Sequence, residues 1–287
     1  MLVVALLQDS FLLRLIEAVK AIRGTVIRAT DWSHMHQLLQ DRPVTMAIVD
    51  PSPDSGLGLN AVKEIAGLLH RFPSTPILAY THLTSEGVRS LSYLGRHGLR
   101  EVILYQYDDS PLRLGRLLVR ASSHGIVSRV RRGLQGNLSA LPVDIAQAVD
   151  DLFQRPHAYT SGYDLVLASR APKASLHRSV QQAGLAPPRQ LFVGARIAHA
   201  ATYLRDPGTR IQDVAVKLGY RHSYVMTRHT MLALGVRPSS LRHVEGQERL
   251  SDDEIVARLL TWVQQVGADD GPDDDDMDVG EEEVYEV

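Results

Sequence analysis

Ser223, Tyr224, Thr227 and Arg228 form two i, i+4 pairs, Ser223 with Thr227 and Tyr224 with Arg228. That spacing places all four on one side of a helix. An arginine there can bind guanine O6 and N7 bidentately, worth ~1–3 kcal/mol of discrimination between bases. A tyrosine can touch a thymine methyl or a phosphate. Such a face is suited to contact with nucleic acid, with Arg228 open to a phosphate or an intradomain salt bridge as well as to a base, and no catalytic set competes with it. The 287 residues contain no cysteine, which excludes disulfide scaffolds, Cys-ligated zinc, iron–sulfur clusters and thiol catalysis. His34 and His36 are two residues apart and face opposite sides of a helix, so they do not make a metal pair. No Gly-x-Ser-x-Gly turn occurs, which argues against a hydrolase. Gly56-x-Gly58 follows the third apolar run rather than the first, and residue 61 is Ala, so it is not a dinucleotide fingerprint. Neither an enzyme nor a cofactor is expected.

The element that must position this face is short. Ile211, Val214, Ala215 and Leu218 form one apolar helix face, and Gly219 follows, suited to a left-handed turn. A second helix starts near Ser223 and ends at Gly235. Two helices joined by a tight glycine turn make a helix-turn-helix, whose second helix fits the ~12 Å major groove.

Charge is distributed to match. Residues 1–109 carry 10 basic and 11 acidic side chains, residues 110–250 carry 20 and 8, and residues 251–287 carry 1 and 14. A middle of net +12 points to a polyanionic partner, because Lys and Arg that neutralise phosphates release condensed counterions. The formal total of −2 conceals this. No apolar run approaches ~18 residues, so no membrane partner is expected. The Leu2–Leu7 run lacks a basic flank and breaks at Gln8–Asp9, which argues against a signal peptide and for a cytoplasmic protein.

Apolar runs at Leu2–Leu7, Thr25–Ala29, Thr45–Val49, Pro76–Tyr80 and Glu101–Leu104 alternate with amphipathic stretches beginning near Ser10, Ser33, Leu59, Ser85 and Ser110. Five strand signals alternating with five helix signals predict a parallel sheet covered on both faces over residues 1–121. Residues 122–142, with Arg129, Arg131 and Arg132, read as a linker whose arginines meet phosphate, or no nucleic acid at all, rather than bases. Residues 143–244 show helical patterns only. A helix over 250–266 opens with a capping box, Ser251 and Glu254, and carries Ile255, Leu259, Trp262, Val263 and Val266, a stripe for packing within the chain or for a dimer contact. In residues 267–287, 11 of 21 are acidic, the composition of a disordered, solvated tail. A sharper reading makes that tail a phosphate mimic that competes with DNA.

The segment Ile211, Val214, Ala215, Gly219, Tyr220, Arg228, Gly235, Val236, Pro238 and Arg242 resembles the second DNA-reading half of AraC/XylS-type transcription regulators. Met226, Thr230 and Leu241 stand where aromatic residues are usual there, so that half buries less apolar surface at Thr230. The resemblance implies a first helix-turn-helix upstream. Asp164–Ala168 supplies its positioning helix and Lys173–Gln182 its recognition helix, with Leu176 and Val180 inward and Lys173, Ala174, His177 and Arg178 outward. Arg170 replaces the turn glycine, and Gly184 comes one residue early. A helix from about Pro188 to Leu204 joins the halves, with Arg196 and Ala200 matching the family's Arg-x-x-x-Ala.

The first 121 residues resemble the flavodoxin-like receiver domains of bacterial response regulators. The resemblance places Asp50 as the phosphoacceptor position, followed by Pro53, Gly58 and Leu59, and Thr81 as the hydroxyl that senses the phosphoryl group. A magnesium-binding acidic pair is expected after the first strand, and the chain has Gln8-Asp9, leaving Asp9 alone as a magnesium candidate. A lysine is expected after the fifth strand, and the chain has Tyr105-Gln106. Without that cation and the second carboxylate the receiver reads as degenerate. The expected function is a sequence-specific regulator that binds double-stranded DNA and is controlled independently of phosphorylation. It would pair as a homodimer through the receiver-like domain or the C-terminal helix, and engage RNA polymerase if it activates. Two alternatives stay open: a phosphorylatable response regulator using Asp50, and a protein–protein adaptor that no longer reads sequence.

Overall fold

The five apolar runs become five strands of one sheet: β1 (Leu2–Leu6), β2 (Thr25–Arg28), β3 (Met46–Val49), β4 (Ile77–Thr81) and β5 (Glu101–Leu104). The structure, a computed structural model, describes residues 1–52, 60–123, 125–242 and 249–264. All four strand pairings are parallel, in the order β2-β1-β3-β4-β5. That order is compatible with a flavodoxin-like doubly wound sheet, whose strand C-termini open a crevice where the order reverses, here between β1 and β3.

Side chains alternate along each strand, and both faces are covered. Val3 and Ala5 of β1 pack with Phe11 and Leu15 of α1 (Asp9–Ala21) and Leu114 and Leu118 of α5 (Pro111–Ala121). Val4 and Leu6 pack with Met35 and Leu39 of α2 (Trp32–Asp41), Ile65 and Leu68 of α3 (Ala61–Arg71) and Leu94 of α4 (Ser85–Arg96). This two-sided burial is why the inner strands read as unbroken apolar runs. Local caps fix where helices start. The Asp31 carboxylate accepts from His34 N–H at 2.8 Å, and the Thr84 hydroxyl accepts from Gly87 N–H at 3.0 Å.

Within the stretch read as a linker, two helices form: α6 (Ile126–Gly133) and α7 (Gln135–Ser139). Ile126, Val130, Leu134 and Leu138 recur every four residues and are buried in the same core as the helices that follow. Three arginines and two glycines between them mask that period in the sequence. The next helices are α8 (Val143–Gln154), α9 (Tyr163–Ser169), α10 (Lys173–Gln182), α11 (Pro188–Tyr203), α12 (Ile211–Lys217), α13 (Ser223–Leu234) and α14 (Asp252–Val263).

Helix α11 is the axis of this part, buried along most of its length from Leu191 to Tyr203. Helix α14 opens with the predicted capping box, with Ser251 Oγ accepting from Glu254 N–H at 3.2 Å and the Glu254 carboxylate accepting from Ser251 N–H at 2.8 Å. It closes on α11 where Gly194 stands: a Cβ there would lie 2.4 Å from Val263 Cγ1. The glycine costs helix propensity, ~1 kcal/mol against Ala, and in exchange admits the close approach. Ile255, Leu259 and Val263 are fully buried, and Trp262 Nε1 donates to the Gln190 carbonyl at 3.3 Å. The apolar face offered by the sequence for a dimer contact is therefore covered within the chain. Val266 and the acidic tail 267–287 lie outside the described residues, as does the boundary at 244. Among the described residues no helix is long and apolar enough to cross a membrane.

Candidate nucleic-acid interface

Two helix pairs hang on α11, one on each side in sequence: α9 with α10, and α12 with α13. Each first helix is seven residues long and each second helix is longer, ten and twelve residues. In the first pair the Asp164 carboxylate gathers the Thr160 hydroxyl at 2.7 Å and the Ser161 N–H at 3.2 Å, fixing the entry to α9. These hydrogen bonds hold the Asp164 carboxyl below its usual range against the opposing effect of burial. The turn passes through Arg170 at φ 53, and Pro172 precedes α10. In the second pair the turn passes through Gly219 at φ 78.

The second helices present the residues expected from their periodicity. On α10, Leu176 and Val180 are buried, Lys173, Ala174 and Arg178 are exposed, and His177 is half-buried. On α13, Met226 and Thr230 are buried, Tyr224 and Arg228 are exposed, and Ser223 and Thr227 are half-buried. Thr227 Oγ1 donates to the Ser223 carbonyl at 3.0 Å, so its hydroxyl proton is engaged by its own helix. Tyr224 stacks on His222, with centroids 5.6 Å apart and planes at 16°. Thr230, in place of an aromatic, sends its hydroxyl back to the Met226 carbonyl at 2.7 Å and so leaves no buried donor unmet.

The sequence did not mark Arg196 as a hub. It is buried in the middle of α11, donates from Nη2 to the Tyr159 carbonyl at 2.9 Å, and lies over the rings of Phe192 and Tyr220 at 4.2 and 4.7 Å. Tyr159 leads into α9 and Tyr220 follows the Gly219 turn, so one cation ties both helix pairs to α11. A Cβ on Gly219 would sit 3.2 Å from Arg196 Nη2. The available signal was an arginine among Ala195, Ile197 and Ala198 with Phe192 one turn earlier. Tyr220 also shares a hydrogen bond of 3.1 Å with His229 Nδ1 across the second pair. On the other side of α11, His199 Nε2 donates to the Phe153 carbonyl at 2.9 Å, and burial pushes its pKa down to about 4.

Two arginines expected at phosphate are otherwise engaged. Arg131 grips Asp150 through Nε at 2.9 Å and Nη2 at 2.7 and 2.8 Å, and Arg129 pairs with Asp253. They staple α6 to α8 and α14, while Arg132 is exposed. No family model matches this chain, and no curated protein matches it.

The α/β domain assembles a second group of predicted residues. Asp50, at the end of β3, is fully buried. Its Oδ2 accepts from Gln8 Nε2 at 3.1 Å and its Oδ1 from Ser52 N–H at 2.9 Å. Burial pushes its pKa up, partly offset by those hydrogen bonds. Thr81, also buried, shares a 2.7 Å hydrogen bond with Ser52 Oγ. Asp9 does not join them. It is exposed at the start of α1 and pairs with Arg28 at 2.8 Å. Tyr105, after β5, packs on Phe11 and His82 with Arg14 over its ring at 5.1 Å. The cluster Gln8, Asp50, Ser52 and Thr81 ties the end of β3 to β1 and β4 through an amide, a backbone N–H and two hydroxyls. Pro53, Gly58 and Leu59 lie outside the described residues.

Proposed function

We propose that the protein is a sequence-specific transcription regulator of the AraC/XylS type that reads double-stranded DNA with α10 and α13. The observation that carries this reading is the pair of exposed, cation-bearing second helices tied through Arg196 to one buried helix. Lys173 and Arg178 on α10 and Arg228 on α13 stand at the exposed faces, in a segment of net +12. Two helix-turn-helix units on one rigid axis suit two major-groove segments about one turn, ~34 Å, apart. The α/β domain is a degenerate receiver that works without phosphorylation. Gln8 occupies an Asp50 oxygen with an amide, and Asp9 is committed to Arg28.

Selection of duplexes from a random pool, followed by titration, tests the reading. The expected result is a preferred sequence, bound with a salt slope of several phosphates. Arg228→Ala should cost ~1–3 kcal/mol on that sequence and little on random duplex. Recovery of no preferred sequence would favour a protein–protein adaptor. Incubation with a small phosphodonor and Mg²⁺, followed by intact mass, tests the phosphorylation-independent reading. An added phosphate that is lost in Asp50→Asn would turn it into a phosphorelay.

A further inference from the structure

The loop after α11 and the last residue of α12 both press on the α/β domain. Asp206 is buried there, and its two oxygens accept from one residue, Ser74, through the backbone N–H at 2.8 Å and the hydroxyl at 2.6 Å. Lys217 Nζ donates to the Leu39 carbonyl at 2.8 Å and lies 4.1 Å over the Tyr203 ring. Leu39 is in the last turn of α2, where carbonyls lack helical partners and carry the negative end of the helix dipole. An ammonium there is both a hydrogen-bond donor and a matched charge.

This contact is specific but unlike a core. Burial lowers the Lys217 pKa to about 8 and raises that of Asp206, each opposed by the charge of the other. Beside the two lies a cavity of about 460 Å³, lined among others by Leu39, Phe72, Tyr203, Asp206 and Lys217. That cavity is a cleft open to solvent, and charges taken from water hold weakly compared with apolar packing. The rest of α12 belongs to the helical core through Val214 and Ala215, followed by Leu218. Lys217 stands two residues before Gly219, the turn that aims α13. A shift of α2 is therefore delivered almost directly to the second reading helix.

We propose that Lys217 and Asp206 are positioning residues, through which the α/β domain sets the placement of the second helix pair relative to the first. The proposal rests on the DNA-binding reading. Two helices that must enter successive groove turns bind best when their separation is fixed before binding, because ordering them then costs less. The α/β domain supplies that fixation through Ser74 and the Leu39 carbonyl, and any signal that moves α2 would change the spacing the protein accepts.

The test uses Lys217→Met and Ser74→Ala in the full chain. Ser74 lies in the α/β domain, outside both helix pairs, so damage to the reading helices cannot explain an effect there. Binding is measured on the duplex selected by the wild type and on versions with one or two base pairs inserted between the contacted segments. Both variants should bind the selected duplex roughly 10-fold more weakly and lose the preference against the insertions. Lys217→Arg should recover part of that preference. Unchanged affinity and unchanged spacing preference in both variants would overturn the proposal. Because the chain has no cysteine, spin labels at cysteines introduced for the exposed Gln182 on α10 and Leu232 on α13 report the placement of the second pair relative to the first independently. Lys217→Met should broaden a narrow wild-type distance distribution. Should the wild type select no sequence at all, the DNA-binding reading fails on its own, and the labels still decide the contact: broadening upholds the positioning role, an unchanged distribution overturns it.

Discussion

The two helix pairs solve one problem with different residues. The α12–α13 turn uses Gly219 in the left-handed region, beneath the Arg196 guanidinium. The α9–α10 turn puts a full side chain, Arg170, into the same region, at a cost of ~1 kcal/mol relative to glycine. The first pair compensates locally, with Asp164 tying Thr160 and Ser161 and with Pro172 before α10. The second depends on distant partners: Arg196 at its turn, and Lys217 reaching into the α/β domain. Both pairs lean on Arg196, the first through the Tyr159 carbonyl. Asn137 also holds the end of α10 at the Ala183 carbonyl at 2.8 Å, and the second pair adds the reach of Lys217 to the Leu39 carbonyl.

The largest expected effect comes from the residue the pairs share. Arg196→Ala removes a buried side chain and leaves the Tyr159 carbonyl unmet, so urea unfolding should show a loss of about 3–5 kcal/mol. Native-state hydrogen exchange should show residues 211–234 loosening more than 163–182. Equal loosening would erase the asymmetry between the pairs. Acid should act next, through His199 on the α8 side of α11. Its folded pKa of about 4 lies below the ordinary 6.5, so the folded state binds fewer protons between those values. Its contribution is complete above pH 6.5 and is lost as pH falls toward 4, by up to about 3 kcal/mol. Stability measured across that window should fall, and His199→Gln should flatten this part of the curve.

Two smaller substitutions carry opposite signs. Gly219→Ala meets a positive φ and Arg196 Nη2 at 3.2 Å, and should cost ~1–2 kcal/mol. Arg170→Gly relieves the same conformation where no comparable hub presses on the turn, and should gain ~0.5–1 kcal/mol. Thermal unfolding of both variants checks the pair. A loss at Arg170→Gly would mean that the Arg170 side chain contributes more than its backbone costs.

How legible these features were in the chain follows from the distance over which each is decided. The five strands could be read within a few residues of their ends because both faces of each inner strand are buried, leaving unbroken apolar runs. The Gly219 turn, the Ser251–Glu254 capping box and the outward faces of α10 and α13 are likewise local, set by residues three or four apart. Helices α6 and α7 escaped because their apolar positions needed a core to face, and charged residues and glycines filled the gaps between them. Asp50 could be placed at a strand end, but its closure by Gln8 depends on β1 and β3 lying side by side.

Long-range partners carried no local mark. Ser74 and Asp206 are 132 residues apart, and Leu39 and Lys217 are 178 apart. Nothing in the neighbourhood of a lysine at the end of a seven-residue helix distinguishes an ammonium bound for solvent from one that caps another domain's helix. Arg129 and Arg131 looked like phosphate ligands until α8 and α14 brought Asp150 and Asp253 against them. Periodicity and turn chemistry are properties of neighbours along the chain, so they survive in the sequence. The destination of a charge depends on which opposite charge or dipole the fold delivers to it, and that is settled only when the layers pack.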